Sequence, residues 1–230
     1  MAIEIYSDNK TEITRGRPNL ANIIAGMTWI MTPETPKDLY FDMVAYLIEE
    51  DGYCRDTKDI IYFGNELMKI RRDEVFKHMD VDNVVTDKRL KYEDYEQILV
   101  ALYEVPNRIK EVVFCAGIYN AKENGYNLSQ IEGLRFHIFN EENKEELIYS
   151  TYSKYFTIES CMVFGRLYRT SDGNWSYKGE NQGYIGDIGT LHAIYHRDRS
   201  EVIEKQTVND TPEEGYGHSV ADMLKPVEED

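Results

Sequence analysis

The feature that most constrains this chain is alternation with a period of two. Leu39, Phe41, Met43, Ala45 and Leu47 fall on one face, with Tyr40, Asp42, Val44 and Tyr46 on the other. Successive side chains of a strand point to opposite faces, so this pattern specifies extended chain packed on at least one side. Leu134, Phe136 and Ile138 repeat it against Arg135 and His137. Two other runs are largely apolar on both faces: Val-Val-Phe-Cys-Ala-Gly-Ile-Tyr-Asn-Ala at 112–121 and Met-Val-Phe-Gly-Arg-Leu-Tyr-Arg at 162–169. Runs of that kind suit strands covered on both sides. Further strand candidates lie at 60–63, 98–103, 147–152 and 161–169. Between the candidates stand the turn signals Glu-Asp-Gly at 50–52, Val-Pro-Asn at 105–107, Glu-Asn-Gly at 123–125 and Ser-Asp-Gly-Asn at 171–174. Many short strands with regular punctuation predict an all-β fold, a two-sheet β-sandwich with few short helices. Eighteen tyrosines fit that class, since the ring packs on a half-buried strand while the hydroxyl reaches water.

Helical signal is thin. Residues 66–79 carry Leu67, Ile70 and Val75 among charges and fit either a short helix or a decorated hairpin; residues 189–197 fit one or two helical turns. From about residue 199 the composition turns acidic, with Glu201, Glu204, Asp210, Glu213, Glu214, Asp222 and a closing Glu-Glu-Asp. The expected organisation is a folded domain over 1–198 and an acidic tail over 199–230, flexible or ordered by a partner.

A formal charge of −16 would repel a phosphate backbone, so nucleic acid is not an expected partner, whereas cations and basic proteins are compatible. No apolar run approaches the roughly 18–20 residues that cross a bilayer. The start, Met-Ala-Ile-Glu-Ile-Tyr, has neither the basic n-region nor the apolar core of a signal peptide, and a cytoplasmic protein is expected. Cys54, Cys115 and Cys161 are odd in number and widely spaced, as buried small hydrophobes are.

In order along the chain, several segments together carry a resemblance. Ile-Thr-Arg-Gly-Arg-Pro-Asn-Leu (13–20), Ala-Gly-Met-Thr-Trp (25–29) and Phe-Asp-Met-Val-Ala (41–45) precede the 112–121 run. Leu-Arg-Phe-His-Ile-Phe (134–139), Leu-Tyr-Arg (167–169), Asp-Gly-Asn-Trp (172–175) and Asn-Gln-Gly-Tyr (181–184) follow it. Over residues 11 to about 196 the chain resembles the TerD family of tellurite-resistance and general-stress proteins. One departure is a displaced glycine, the run reading Gly179-Glu-Asn-Gln-Gly183.

That resemblance implies a β-sandwich of TerD type and calcium sites built from an acidic strand and a loop ending Asp-Asp-Glu. Calcium takes six to eight oxygens, so carboxylates must converge and the backbone must turn sharply between them. The corresponding positions here are Asp42 in the strand and Asp82, Asn83, Asp94 and Glu96 in the loop. The second strand aspartate is replaced by Val44 and the middle terminal acid by Tyr95. No glycine occurs between Gly64 and Gly117, while Lys88, Arg89 and Lys91 add positive charge. A double site of the family type is therefore not expected. Two readings stay open: one weak calcium site from Asp42, Asp82, Asn83, Asp94 and Glu96, or a solvated acidic loop partly paired with the inserted bases.

Other constellations are weaker. His192 and His196 are four apart, which on a helix would share a face, but no third zinc ligand is identifiable. Gly179, Gly183, Gly186 and Gly189 read better as turn positions than as a phosphate cradle. No nucleophile elbow occurs. The resemblance implies a non-enzymatic interaction module with protein partners, in a membrane-associated stress complex reached through those partners and not through a spanning segment. The alternative is a bacteriophage or particle-assembly protein that keeps the fold and docks through its acidic tail.

Overall fold

A computed structural model describes residues 2–30, 35–62, 67–70, 73–80, 94–152 and 156–196, the segments 67–70 and 73–80 by their backbone only. Its strands, in chain order, are β1 (Ile3–Glu4), β2 (Lys10–Glu12), β3 (Asn22–Ile30), β4 (Phe41–Ile48), β5 (Ile60–Ile61), β6 (Leu67–Ile70) and β7 (Asp73–Asp80). There follow β8 (Glu96–Ala101), β9 (Glu111–Ile118), β10 (Glu132–Asn140), β11 (Glu146–Tyr152), β12 (Cys161–Arg169) and β13 (Trp175–Tyr184). Among the described residues two short α-helices, α1 (Ala121–Asn124) and α2 (Ile188–Tyr195), and two 3-10 turns, Thr57–Asp59 and Leu128–Gln130, complete the regular structure.

The strands form two sheets, ordered β1-β11-β10-β3-β8-β7-β6 and β2-β13-β12-β9-β4-β5. Every pairing is antiparallel except β1 with β11. The expected all-β sandwich is therefore what the chain builds. The region that left helix and hairpin open is a hairpin of β6 and β7. The turns expected near the end of the domain are α2.

Alternation chooses the inner faces. Phe41, Met43, Ala45 and Leu47 of β4 meet Ile23, Ala25 and Met27 of β3 and Leu134, Phe136 and Ile138 of β10 in one core. Phe136 carries the contact between sheets, stacking on Phe164 at a centroid distance of 4.5 Å and lying 5.6 Å from Phe114. Aromatic pairs of this kind add about 0.5–1.5 kcal/mol each beyond the area they bury. At the far end Asp172 and Gly173 make the β12–β13 turn, with Gly173 at φ 80°, which glycine adopts without a Cβ clash.

The outer faces of the two sheets differ. On the six-stranded sheet α2 packs over Val44, Tyr46, Val113, Cys115 and Val163, burying them in a second apolar cluster. A strand expected to have one mixed face is thus buried on both. The helix is held at its start by a capping box, in which the Asp187 side chain accepts from Gly189 N–H and Thr190 Oγ1 accepts from Asp187 N–H. Among the described residues no helix is long and apolar enough to cross a membrane.

Candidate functional site

On the outer face of the seven-stranded sheet, neighbouring strands bring a set of charged side chains together. Gly26 in β3 stands in register between Gln97 of β8 and His137 of β10. Residues directly opposite in a ladder share a face, so Gln97 and His137 flank a position that lacks a side chain. Asp94, just before β8, fills that space. A Cβ on Gly26 would overlap the Asp94 carboxylate and lie 2.7 Å from His137 Nε2. Glycine here serves close packing of a polar group.

His137 is hydrogen-bonded at both ring nitrogens. Nε2 lies 2.8 Å from Asp94 Oδ1 and Nδ1 lies 2.9 Å from Glu146 Oε1. Ionised carboxylates only accept, so this arrangement suits a doubly protonated ring. Gln97 Nε2 donates to the other Asp94 oxygen at 2.9 Å, and Arg135 donates to Glu146 at 2.5 Å. Arg135 also covers the Tyr149 ring, 4.2 Å from its centroid. The Asp94 side chain is 0% exposed and that of His137 5%. Burial alone would lower the His137 pKa, but the hydrogen bonds with Asp94 and Glu146 outweigh it and raise the value above 6.5. Burial likewise favours the neutral form of Glu146, but hydrogen bonds from His137 and Arg135 hold its carboxyl below its ordinary value.

The second polar centre lies where α2 meets the six-stranded sheet. His192, in α2, is 1% exposed, with Nδ1 2.7 Å from the Tyr46 hydroxyl and Nε2 buried without a hydrogen-bond partner among the described residues. Its ring stands edge-on to that of Tyr46, 5.5 Å between centroids, beside the apolar cluster that α2 closes. Burial, with a small contribution from His196, depresses its pKa to about 4, so the ring is neutral. Cys54, Cys115 and Cys161 are buried and unpaired as disulfides. Burial raises all three thiol pKa values, that of Cys161 to about 12. Thiols in that state are poor nucleophiles.

The residues singled out for calcium fall in several places. Asp42 shares the face of Val44 and Tyr46, and its register partner Gly117 faces Ile188, so it points to the α2 side of the six-stranded sheet. Asp94 lies on the outer face of the other sheet. Glu96 is opposite Met27, which lines the core, and in register with Asp80 of β7. It is therefore turned inward, between the sheets. Asp82 and Asn83 lie outside the described residues. The backbone thus brings Asp94 and Glu96 near one another in sequence but onto opposite faces of one strand end. Among the described residues no group of three or more His, Cys, Asp or Glu side chains is placed to hold a metal ion.

The histidine spacing does not make a shared helical face either. α2 stops at Tyr195, and His196 is its extended cap, bridging by backbone to Cys54. Gly179 and Gly183 belong to β13, while Gly186 and Gly189 belong to the entry of α2. The acidic tail at 199–230 lies outside the described residues.

His137, Glu146 and Gln97 were not singled out from sequence. A signal existed: a strand with Arg135 and His137 on its polar face is joined by a short turn to a strand beginning at Glu146. What sequence lacked was the register that places Asp94 against the same ring.

With the geometry in place, the chain was compared with known proteins. Residues 1–195 match the TerD domain. The chain is 24% identical over 195 residues to tellurium resistance protein TerD of Serratia marcescens, covering 85% of this chain and 97% of that protein. It is 27% identical over 196 residues to general stress protein 16U of Bacillus subtilis (strain 168), with the same coverage. A solved structure of a homologue of telluride resistance protein TerD from Streptomyces coelicolor A3(2) superposes with a TM-score of 0.55 at 15% identity. It covers 76% of this chain and 96% of that one, and shares its fold. The match spans most of the chain and includes both sheets and α2: the protein belongs to the TerD family.

Proposed function

We propose that this TerD-family chain works as a non-enzymatic interaction module in a stress-response or tellurite-resistance assembly, with calcium binding weak or lost. It acts in the cytoplasm and reaches the inner membrane face through protein partners. The observation that carries this reading is how the reactive side chains are used. Asp94 and Glu146 are both bonded to His137, His192 is neutral between α2 and the six-stranded sheet, and the three thiols are buried and protonated. Groups spent on one another in this way support a scaffold whose work is done by its surface. The relatives in Serratia marcescens and Bacillus subtilis are named for tellurium resistance and general stress, which favours this reading over particle assembly.

The test is expression of the full chain, tagged, in a bacterial strain lacking its own TerD-family proteins. The proposal expects higher tellurite tolerance and a reproducible set of co-purified proteins. A chain that purifies alone and leaves tolerance unchanged would overturn it.

A further inference from the structure

We propose that Asp94 is the buried anchor of a polar clamp with His137 and Gln97, and that this clamp withholds its carboxylate from any cation. The inference rests on the reading that calcium binding is weak or lost, and it names the residue-level reason. It starts from the donor set. A calcium ligand needs a carboxylate oxygen free to approach the ion at about 2.3–2.6 Å. Both Asp94 oxygens are already engaged, Oδ1 by His137 at 2.8 Å and Oδ2 by Gln97 at 2.9 Å, and their remaining lone pairs are closed off from solvent. Its side chain is wholly enclosed, and the backbone of β3 passes beneath it at Gly26 with no room for one more carbon. Glu96 is turned to the opposite face of the same strand end, and Asp42 belongs to the other sheet.

The clamp also explains which elements need it. His137 sits on β10 and Gln97 on β8, the two strands on either side of β3. Joining them through Asp94 ties the outer surface of three adjacent strands across the glycine that would otherwise leave a groove. Glu146 on β11 extends the tie to a fourth strand through the other nitrogen of His137, and Arg135 closes it. The tie is made by side chains of the fold itself, so it forms with the fold and needs no loading.

Three full-length single variants, Asp94→Asn, His137→Gln and Gly26→Ala, and the double variant Asp94→Asn with His137→Gln test this, each compared with wild type by thermal unfolding in EDTA and in calcium at about 1 mM, a concentration that fills weak sites. The clamp expects Asp94→Asn and His137→Gln each to lower Tm by about 10 °C, equally in EDTA and in calcium. The double variant should fall no further than the worse single one, because both remove one interaction. Gly26→Ala, which keeps every oxygen, should lower Tm in the same way. An unchanged Tm for His137→Gln overturns the clamp, and so does an Asp94→Asn variant that is normal in EDTA but loses a calcium-dependent rise present in wild type. A calcium-dependent rise kept in Asp94→Asn, whose Tm in EDTA is nonetheless depressed, supports the clamp and overturns the loss of calcium. Tolerance and co-purification report on the interaction module separately, so its failure and the failure of the clamp are distinguishable.

Discussion

Two buried histidines, one on the outer face of each sheet, occupy opposite worlds. His137 has a carboxylate at each ring nitrogen and its pKa is raised. His192, carried by α2 itself and turned onto the other sheet, has one phenol as partner in an apolar layer, and its pKa falls to about 4. Burial penalises the charged ring at both sites, so the difference is made by partners. Where the outer face is left to polar strands, buried charge can be answered by buried charge. Where α2 covers the sheet with apolar side chains, the same ring survives only by staying neutral. This family member uses one sheet face for electrostatic ties and the other for a second hydrophobic layer.

The sharpest way to break the comparison is to remove the ring that answers the charge. His137→Leu leaves Asp94 enclosed without its cationic partner and should cost about 3–5 kcal/mol, as loss of one member of a buried pair does, read from urea unfolding. If the cost is within about 0.5 kcal/mol, the level of a surface change, His137 and His192 are not different in kind.

Next comes acid. The unfolded His192 takes up a proton near pH 6.5, whereas the folded ring does so only near 4. Between those values the unfolded state holds more protons, so stability falls as pH falls. The loss from this one group should approach about 3 kcal/mol by pH 4, at 1.36 kcal/mol for each unit of separation. Denaturant unfolding across that window should show His192→Phe losing less than wild type. Equal slopes would mean that the ring is not held neutral.

Tyr46→Phe is a smaller cut. It removes the hydroxyl from His192 Nδ1 in an apolar layer and should cost about 1–2 kcal/mol, the range for a buried group left unpaired. Removing a partner should hurt less here than at His137, because no net charge is stranded. The smallest expected effect is chemical. A disulfide reagent should leave Cys54, Cys115 and Cys161 unmodified in native protein and label all of them after denaturation, measured by mass. Rapid labelling of any one under native conditions would mean that the α2 layer opens.

Much of this was legible in the chain. The alternation at 39–47 and 134–138 named the inner faces correctly, because a period of two survives any tertiary arrangement. The order of the 112–121 and 162–169 runs, with the motifs around them, was enough to identify the family. The polar partners were not legible. Asp94 read as a loop acid beside Glu96, and His137 as part of the polar face of a strand. Both readings followed from local pattern, and local pattern does not contain the partner strand.

Residue chemistry and periodicity thus settled that the chain is a sandwich, which side chains line its middle, and that its cysteines are small buried groups. Tertiary structure alone decided that Asp94 meets His137 over Gly26, that Glu96 turns the other way, and that Val44 and Tyr46 lie beneath a helix. The reason is range. Face and period are set by neighbours one or two residues away, while the partner of a buried charge is set by register across strands. Asp94 and His137 are 43 residues apart in sequence. A hydrogen bond over that separation exists only once β8, β3 and β10 have paired.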